Sequence, residues 1–205
     1  MKRVLILLSN GFEIYEAAAF IDVLGWASTF GSEPVETVTA GMHPRLTTTF
    51  GVQVIPSVTL PEIEAASFDA LAIPGGFQAA GFYEDAYSEA FLDIIRQFDA
   101  AKKPIAAICV AALPLAKSGV LRGRRATTYH LLEGRRRREL ADMGADVADT
   151  RIARDGNIIT STAPATAIDV AFLLLAELTS DQNAGHVRHM MGFPTDDHDQ
   201  ANGPL

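Results

Sequence analysis

The sequence predicts an α/β protein, a doubly wound and mostly parallel sheet sandwiched by helices. Two observations carry that reading. Buried strands are read at residues 4–8, 68–73 and 104–109, the first a continuous apolar run, as expected of strands covered on both faces. Segments with apolar residues at helical spacing follow these strands, and repeated strand–helix alternation implies a parallel sheet.

The elements follow in order along the chain. Residues 4–8 form the first buried strand, and residues 14–28 the first helix, after a tight loop. Residues 35–39 alternate and form the next strand. Residues 42–60 mix Thr, Val, Gly and Pro, which reads as loops with short strands and a hairpin around Gly51. The strand at 68–73 ends in Pro-Gly-Gly-Phe. A helix over 83–101 places Phe91, Ile94, Ile95 and Phe98 on one face. Residues 104–109 form a strand and 110–118 a helix closed by Gly119. A short strand is expected at 125–128 and a charged helix at 134–143. Strands at 147–154 and 158–160 flank Ala-Arg-Asp-Gly-Asn, a hairpin signal. Helices at 166–178 and 180–191 complete a single domain over residues 1–192. The polar tail, 193–205, is expected to be disordered.

Bulk properties exclude several classes. The 205 residues carry a formal net charge of −8, which argues against generic binding to nucleic acid or anionic membranes. The single cysteine precludes an internal disulfide and fits a reducing cytosol, so a cytoplasmic location is expected. The N-terminal apolar run of five residues is shorter than a signal-peptide core, and no run approaches a membrane helix.

Right-handed connections gather the loops at the strand C-termini on one edge, where ligands bind in such sheets. Three loops converge there. The first holds Cys109, with Ala107 and Ala111 two residues to either side. A nucleophile on a sharp strand-to-helix turn needs small neighbours. The positive end of the next helix should lower the thiol pKa, and the Val110 N–H should face an oxyanion beside the sulfur. A free cysteine that only fills space is the plain alternative. The second loop holds Gly75 and Gly76, which let backbone approach a ligand, and the Gly76 N–H could complete an oxyanion hole. The third offers Glu13 and Glu16. Either could be a surface partner of the helix dipole, or could turn inward, keep its proton by burial and serve the sulfur. Tyr129 and His130 follow at a strand end, and His130 could act as a general base.

These stretches together are similar to one family. VLILLSNGFEIYEAAAFIDVL, FDALAIPGGF, PIAAICVAALPLAKSGVLRGRRATTYH and DGNIITSTAPATAIDVAFLLL resemble, in order and spacing, the ThiJ/PfpI superfamily over residues 3–192. The resemblance implies a flavodoxin-like fold, a homodimer and a nucleophile elbow. It assigns Cys109 as the elbow thiol, Glu16 as the glutamate bonded to the sulfur, Glu13 as the earlier position in that loop, and Gly76 with Val110 as oxyanion donors. The chain departs from the family pattern at Tyr129, where many members have His. His130 comes one residue later, and such a shift in a strand sends a side chain to the opposite face. A Cys109–Glu16 dyad with Tyr129 as polar partner is the resulting expectation.

Other features read as structural. Seven arginines between residues 122 and 138 suggest solvated side chains paired at helical spacing, such as Glu133 with Arg137 and Arg135 with Glu139. His186 and His189 lack an evident third ligand, so no metal is expected. The functional expectation is a cofactor-independent enzyme whose Cys109 attacks a small electrophile, by glyoxalase- or deglycase-like hydration or by amide hydrolysis. A non-enzymatic thiol sensor of oxidative stress, or a chaperone-like stress protein, is the alternative. A glutaminase domain is set aside, because a late His-x-Glu pair is missing.

Overall fold

A computed structural model describes residues 1–194. The chain begins β1 (Lys2–Leu8), α1 (Ile14–Phe30), β2 (Val35–Gly41), β3 (Leu46–Thr47), β4 (Gln53–Val54), β5 (Val58–Thr59) and β6 (Ala70–Ile73). It continues α2 (Phe82–Ala86), α3 (Glu89–Ala100), β7 (Ile105–Ala107), α4 (Ala112–Ser118), β8 (Arg125–Ala126) and α5 (Arg135–Asp142). The last elements are β9 (Asp146–Val147), β10 (Ile152–Asp155), β11 (Ile158–Ser161), α6 (Ala167–Leu178) and α7 (Asp181–Met190).

Seven strands form one sheet in the order β10-β11-β7-β6-β1-β2-β5. All neighbours are parallel except β10 and β11, which form the expected antiparallel hairpin at one edge. The central strands β1, β6 and β7 supply Leu5, Ile6, Leu71, Ile73 and Ile105, all fully buried. Helices α1, α6 and α7 pack against one another, and α4 packs against α3 and α5. The chain runs outward from β1 to β2 and β5, then returns to place β6 on the other side of β1. The order therefore reverses between β1 and β6, and the crevice beyond their C-terminal ends is where an open α/β sheet admits a ligand.

Several expected boundaries shift, each for a local reason. The helix expected over 83–101 is two helices. Ser88 caps α3 by accepting from the Phe91 N–H, which ends α2 just before it. The strand expected at 147–154 divides, because Val147 belongs to β9 and pairs in parallel with β8 instead of the hairpin. The hairpin around Gly51 is present as β3 and β4. Glu133 does not pair with Arg137. Leu132, Glu133 and Gly134 all have positive φ, so α5 starts only at Arg135 and Glu133 lies outside it. Arg137 binds Asp149 instead, while Arg135 does pair with Glu139. Phe193 sits edge-on to Phe172 and donates its N–H to the Arg188 carbonyl, so packing runs one residue into the expected tail. The remaining tail residues, 195–205, lie outside the described residues.

Candidate active site

Cys109 lies just past the end of β7, where the backbone reverses. Its φ is +58°, a left-handed conformation that costs a non-glycine residue roughly 1–2 kcal/mol. Three hydrogen bonds hold it there. The Ile108 N–H donates to the Ile73 carbonyl at 3.1 Å, and the Ala111 N–H donates back to the Ile108 carbonyl at 3.0 Å. The Thr128 hydroxyl donates to the Cys109 carbonyl at 2.9 Å. Ala107, Ala111 and Ala112 are fully buried around the bend, where larger side chains would clash. The result is a fixed thiol at the sheet edge, almost wholly enclosed.

The loop after β1 and the loop after β6 are joined side by side. The Glu13 N–H donates to the Gly75 carbonyl at 2.7 Å, and the Phe77 N–H donates to the Gly11 carbonyl at 3.1 Å. Gly76 lies between these bonds, and its own N–H has no partner among the described residues. The two glycines are required by space rather than by φ. A Cβ on Gly75 would stand 2.9 Å from the Ile108 carbonyl oxygen, 3.0 Å from Glu16 Oε2 and 3.1 Å from the Val110 nitrogen. A Cβ on Gly76 would collide with the Gly11 carbonyl and the Phe82 ring. Gly75 thus lets the elbow, the Pro-Gly-Gly loop and Glu16 meet.

Glu16 points inward from the first turn of α1 and is fully buried. Its Oε2 accepts the Gly75 N–H at 2.6 Å, while Oε1 has no partner of good hydrogen-bond geometry among the described residues, although the Cys109 thiol lies close enough to act on the carboxyl as a donor. Burial pushes its pKa up to about 8, opposed by the Gly75 bond and the nearby thiol and assisted by the charge of Glu13. A proton held on this carboxyl belongs on Oε1, because Oε2 is occupied as an acceptor. Glu13 is also buried, and burial raises its pKa. It caps no N–H with its side chain.

The thiol itself departs from expectation. The positive end of the following helix should have lowered its pKa; instead burial and the Glu16 charge push it well up, with only the Val110 N–H to the sulfur working the other way. The physical reason is that Cys109 opens a 3₁₀ turn ahead of a helix of only 7 residues, so desolvation outweighs the dipole. The Glu16 charge disfavours ionisation of the thiol, whereas the neutral thiol favours the ionised carboxyl, so the carboxyl is the first of the pair to ionise.

The expected residues separate into two groups. The fold brings together Cys109, Val110, Gly75, Gly76, Glu16 and Glu13. Of the glycine pair, Gly75 spends its N–H on Glu16 and only Gly76 keeps one free. Tyr129 is half-buried against the core, and His130 is exposed near Asp149, with no hydrogen bond to the thiol. His186 bonds the Phe30 carbonyl at 3.1 Å. Among the described residues no three ligating side chains cluster as a metal site, and no helix is long and apolar enough to cross a membrane. Thr128 and Tyr83 were not singled out by sequence reasoning. Thr128 directly precedes Tyr129 in the Thr-Thr-Tyr-His run, and that adjacency was its only signal.

A doubly wound sheet with a strained cysteine at the strand-end crevice, beside a buried glutamate, defines an α/β protein with its single thiol on a strand-to-helix elbow. The chain belongs to the DJ-1/PfpI family, whose model matches residues 2–177. It is 30% identical over 190 residues to protein dj-1beta of Drosophila melanogaster, covering 91% of this chain and 94% of that one. The crystal structure of that DJ-1beta superposes with a TM-score of 0.82 at 27% identity, over 95% of this chain and 99% of the other. An isonitrile hydratase of Pseudomonas putida is 31% identical over 192 residues, covering 91% of this chain and 78% of that protein. A deglycase of Pyrococcus horikoshii is 30% identical over 115 residues, 56% of this chain and 65% of that protein.

Proposed function

We propose that this protein is a cofactor-independent enzyme in which Cys109 attacks a small electrophile and Glu16 moves the protons. The observation that carries this reading is the Glu16 carboxyl. It is fully buried, bonded through one oxygen and without a partner of good hydrogen-bond geometry at the other, with its pKa raised to about 8. A carboxyl that titrates near neutrality can both take and return a proton. Ionised, it accepts the thiol proton at Oε1 as the sulfur–carbon bond forms. Protonated, it hands that proton to the oxygen or leaving group. The free Gly76 N–H and the Val110 N–H are the donors that would meet an oxyanion. Hydration of a reactive carbonyl or isonitrile and hydrolysis of an amide all fit this arrangement. The names of the isonitrile hydratase and the deglycase support the first two.

A second reading has one supporting observation. The unpartnered Oε1 would donate equally well to an oxygen added to the sulfur by peroxide, so a stable Cys109 sulfinate fits the same pocket. The experiment that separates the readings is turnover of an α-oxoaldehyde, an isonitrile and a simple amide by the wild type and by Cys109→Ala. Saturable turnover lost in the variant supports the enzyme. Oxidation of Cys109 under mild peroxide without turnover on any of these supports the sensor. A cytoplasmic homodimer accompanies either reading. The lone thiol and the apolar outer face of α1, where Ile14, Tyr15 and Ile21 are exposed, support it, and light scattering tests the dimer.

A further inference from the structure

Beside the elbow lies a polar cluster that the thiol chemistry above does not use. Tyr83, in α2, follows Phe82, whose ring stands where a Gly76 side chain would be. The Tyr83 hydroxyl is buried and has no hydrogen-bond partner among the described residues. The Tyr83 ring stands edge-on to Phe82 with centroids 5.1 Å apart, and burial above all holds the phenol's proton, with the charges of Tyr87, Glu139 and Cys109 adding to it and Arg136 opposing. The phenol is therefore a standing donor with nothing to donate to.

Arg136 covers this ring. Its guanidinium carbon lies 5.1 Å from the Tyr83 ring centroid, and its nitrogens donate to Glu139 at 2.6 Å and to Gln78 at 3.1 Å. Gln78 follows directly on the Pro-Gly-Gly-Phe loop, so the contact ties α5 to the site. Arg135 also binds Glu139, so two guanidinium groups share one carboxylate and a positive charge stays uncompensated. A buried phenol donor with a guanidinium over its ring suits an anion, with Glu139 as the carboxylate already nearby. The planar fork already pairs with a carboxylate in Glu139, and the same geometry suits a second one.

We propose that the Tyr83 hydroxyl, backed by Arg136, is a recognition subsite for a carboxylate carried next to the reacting carbon of the substrate. This rests on the reading of Cys109 as the nucleophile, and it narrows the electrophile to small carboxylate-bearing compounds.

The test uses two alkylating probes on the full-length protein, iodoacetate and iodoacetamide. Both form the same sulfur–carbon bond, release iodide and give the thiol proton to buffer; only the first carries a carboxylate. The wild-type ratio of iodoacetate to iodoacetamide rates should exceed that of free N-acetylcysteine by about tenfold. Tyr83→Phe and Arg136→Gln should each bring the ratio down toward the free-thiol value, while Arg138→Gln, which loses only a bond to the Glu133 carbonyl, should not. If Tyr83→Phe fails to fold by circular dichroism, Arg136→Gln decides alone. A wild-type ratio equal to that of the free thiol, or one unmoved by Arg136→Gln, overturns the subsite even if the enzyme turns over other electrophiles. The expected ratios in a protein that turns over none of them leave the subsite standing and remove the enzymatic reading.

Discussion

The elbow and the arginine-rich stretch between residues 122 and 138 treat their polar groups in opposite ways. In the stretch, most of the arginines find acceptors, although Arg135 and Arg136 share one. Arg124 binds Asp99 at 2.8 Å, Arg135 and Arg136 bind Glu139, Arg137 binds Asp149, and Arg138 binds the Glu133 carbonyl. Around the elbow the backbone is well bonded but several polar groups are left over. Cys109 holds a strained φ, Glu16 Oε1 and the Tyr83 hydroxyl lack partners, and the Gly76 N–H is free. Buried polar groups without partners are unfavourable and rare in folded proteins. Thr127 Oγ1 and Arg137 Nε, in the arginine-rich stretch, also lack partners, so what sets the elbow apart is a strained thiol beside a buried carboxyl. The most charged stretch of the sequence is mainly a solvated face, although its Thr128 bonds the Cys109 carbonyl, and the proposed chemistry falls on the nearly apolar stretch.

The largest expected effect comes from exchanging the unmatched proton carrier. Glu16→Gln keeps the shape and the Gly75 bond but cannot move a proton, so turnover should fall by about 10²–10⁴-fold. Glu13→Gln should change it only severalfold. Equal losses from the two would break the contrast between them. In Glu16→Gln the apparent thiol pKa should also drop, because the Glu16 charge that pushes it up is gone. The pH dependence of alkylation reads this directly.

Next is stability against pH. The folded Glu16 keeps its proton up to about pH 8, whereas the unfolded carboxyl loses it near 4.5. The folded state therefore binds more protons in that window, and stability should fall as pH rises from about 4.5 through 8. The drop should be on the order of a few kcal/mol. Urea melts at pH 5 and pH 8 should show it, and Glu16→Gln should remove most of the difference. A wild-type slope of the opposite sign would contradict the buried protonated state.

Gly75→Ala sharpens the comparison sterically. Its Cβ would press on the Ile108 carbonyl, Glu16 and the Val110 nitrogen at once, so a loss of about 1–3 kcal/mol is expected, together with altered Cys109 alkylation. At the other end, Arg137→Gln removes an ion pair whose Asp149 side chain is almost fully exposed. It should leave the melting temperature and turnover essentially unchanged. A large effect there would mean that the matched region is more than a solvated face.

Much of this was legible in the chain. The apolar runs, the hairpin around Gly51, the thiol at a strand end and the glycine pair beside it all follow from local pattern. The break between α2 and α3 was hidden, because Phe91, Ile94, Ile95 and Phe98 continue an apolar face that masks Ser88 as a cap. Residue spacing could not choose between Glu13 and Glu16, since both sit at one helix start three positions apart. It could not show that Tyr83 stands beside the elbow, because nothing in Phe-Tyr-Glu-Asp distinguishes that tyrosine.

The sequence alone determined the sheet, the order of its elements and the position of the cysteine at a strand-to-helix turn, since these depend on hydrophobic periodicity and small residues close along the chain. Only the tertiary structure decided which carboxyl keeps a proton, which N–H stays free and in which direction the thiol pKa moves. Those properties depend on desolvation and on partners far away in sequence, such as the Gly75 N–H, which meets Glu16 across 59 residues.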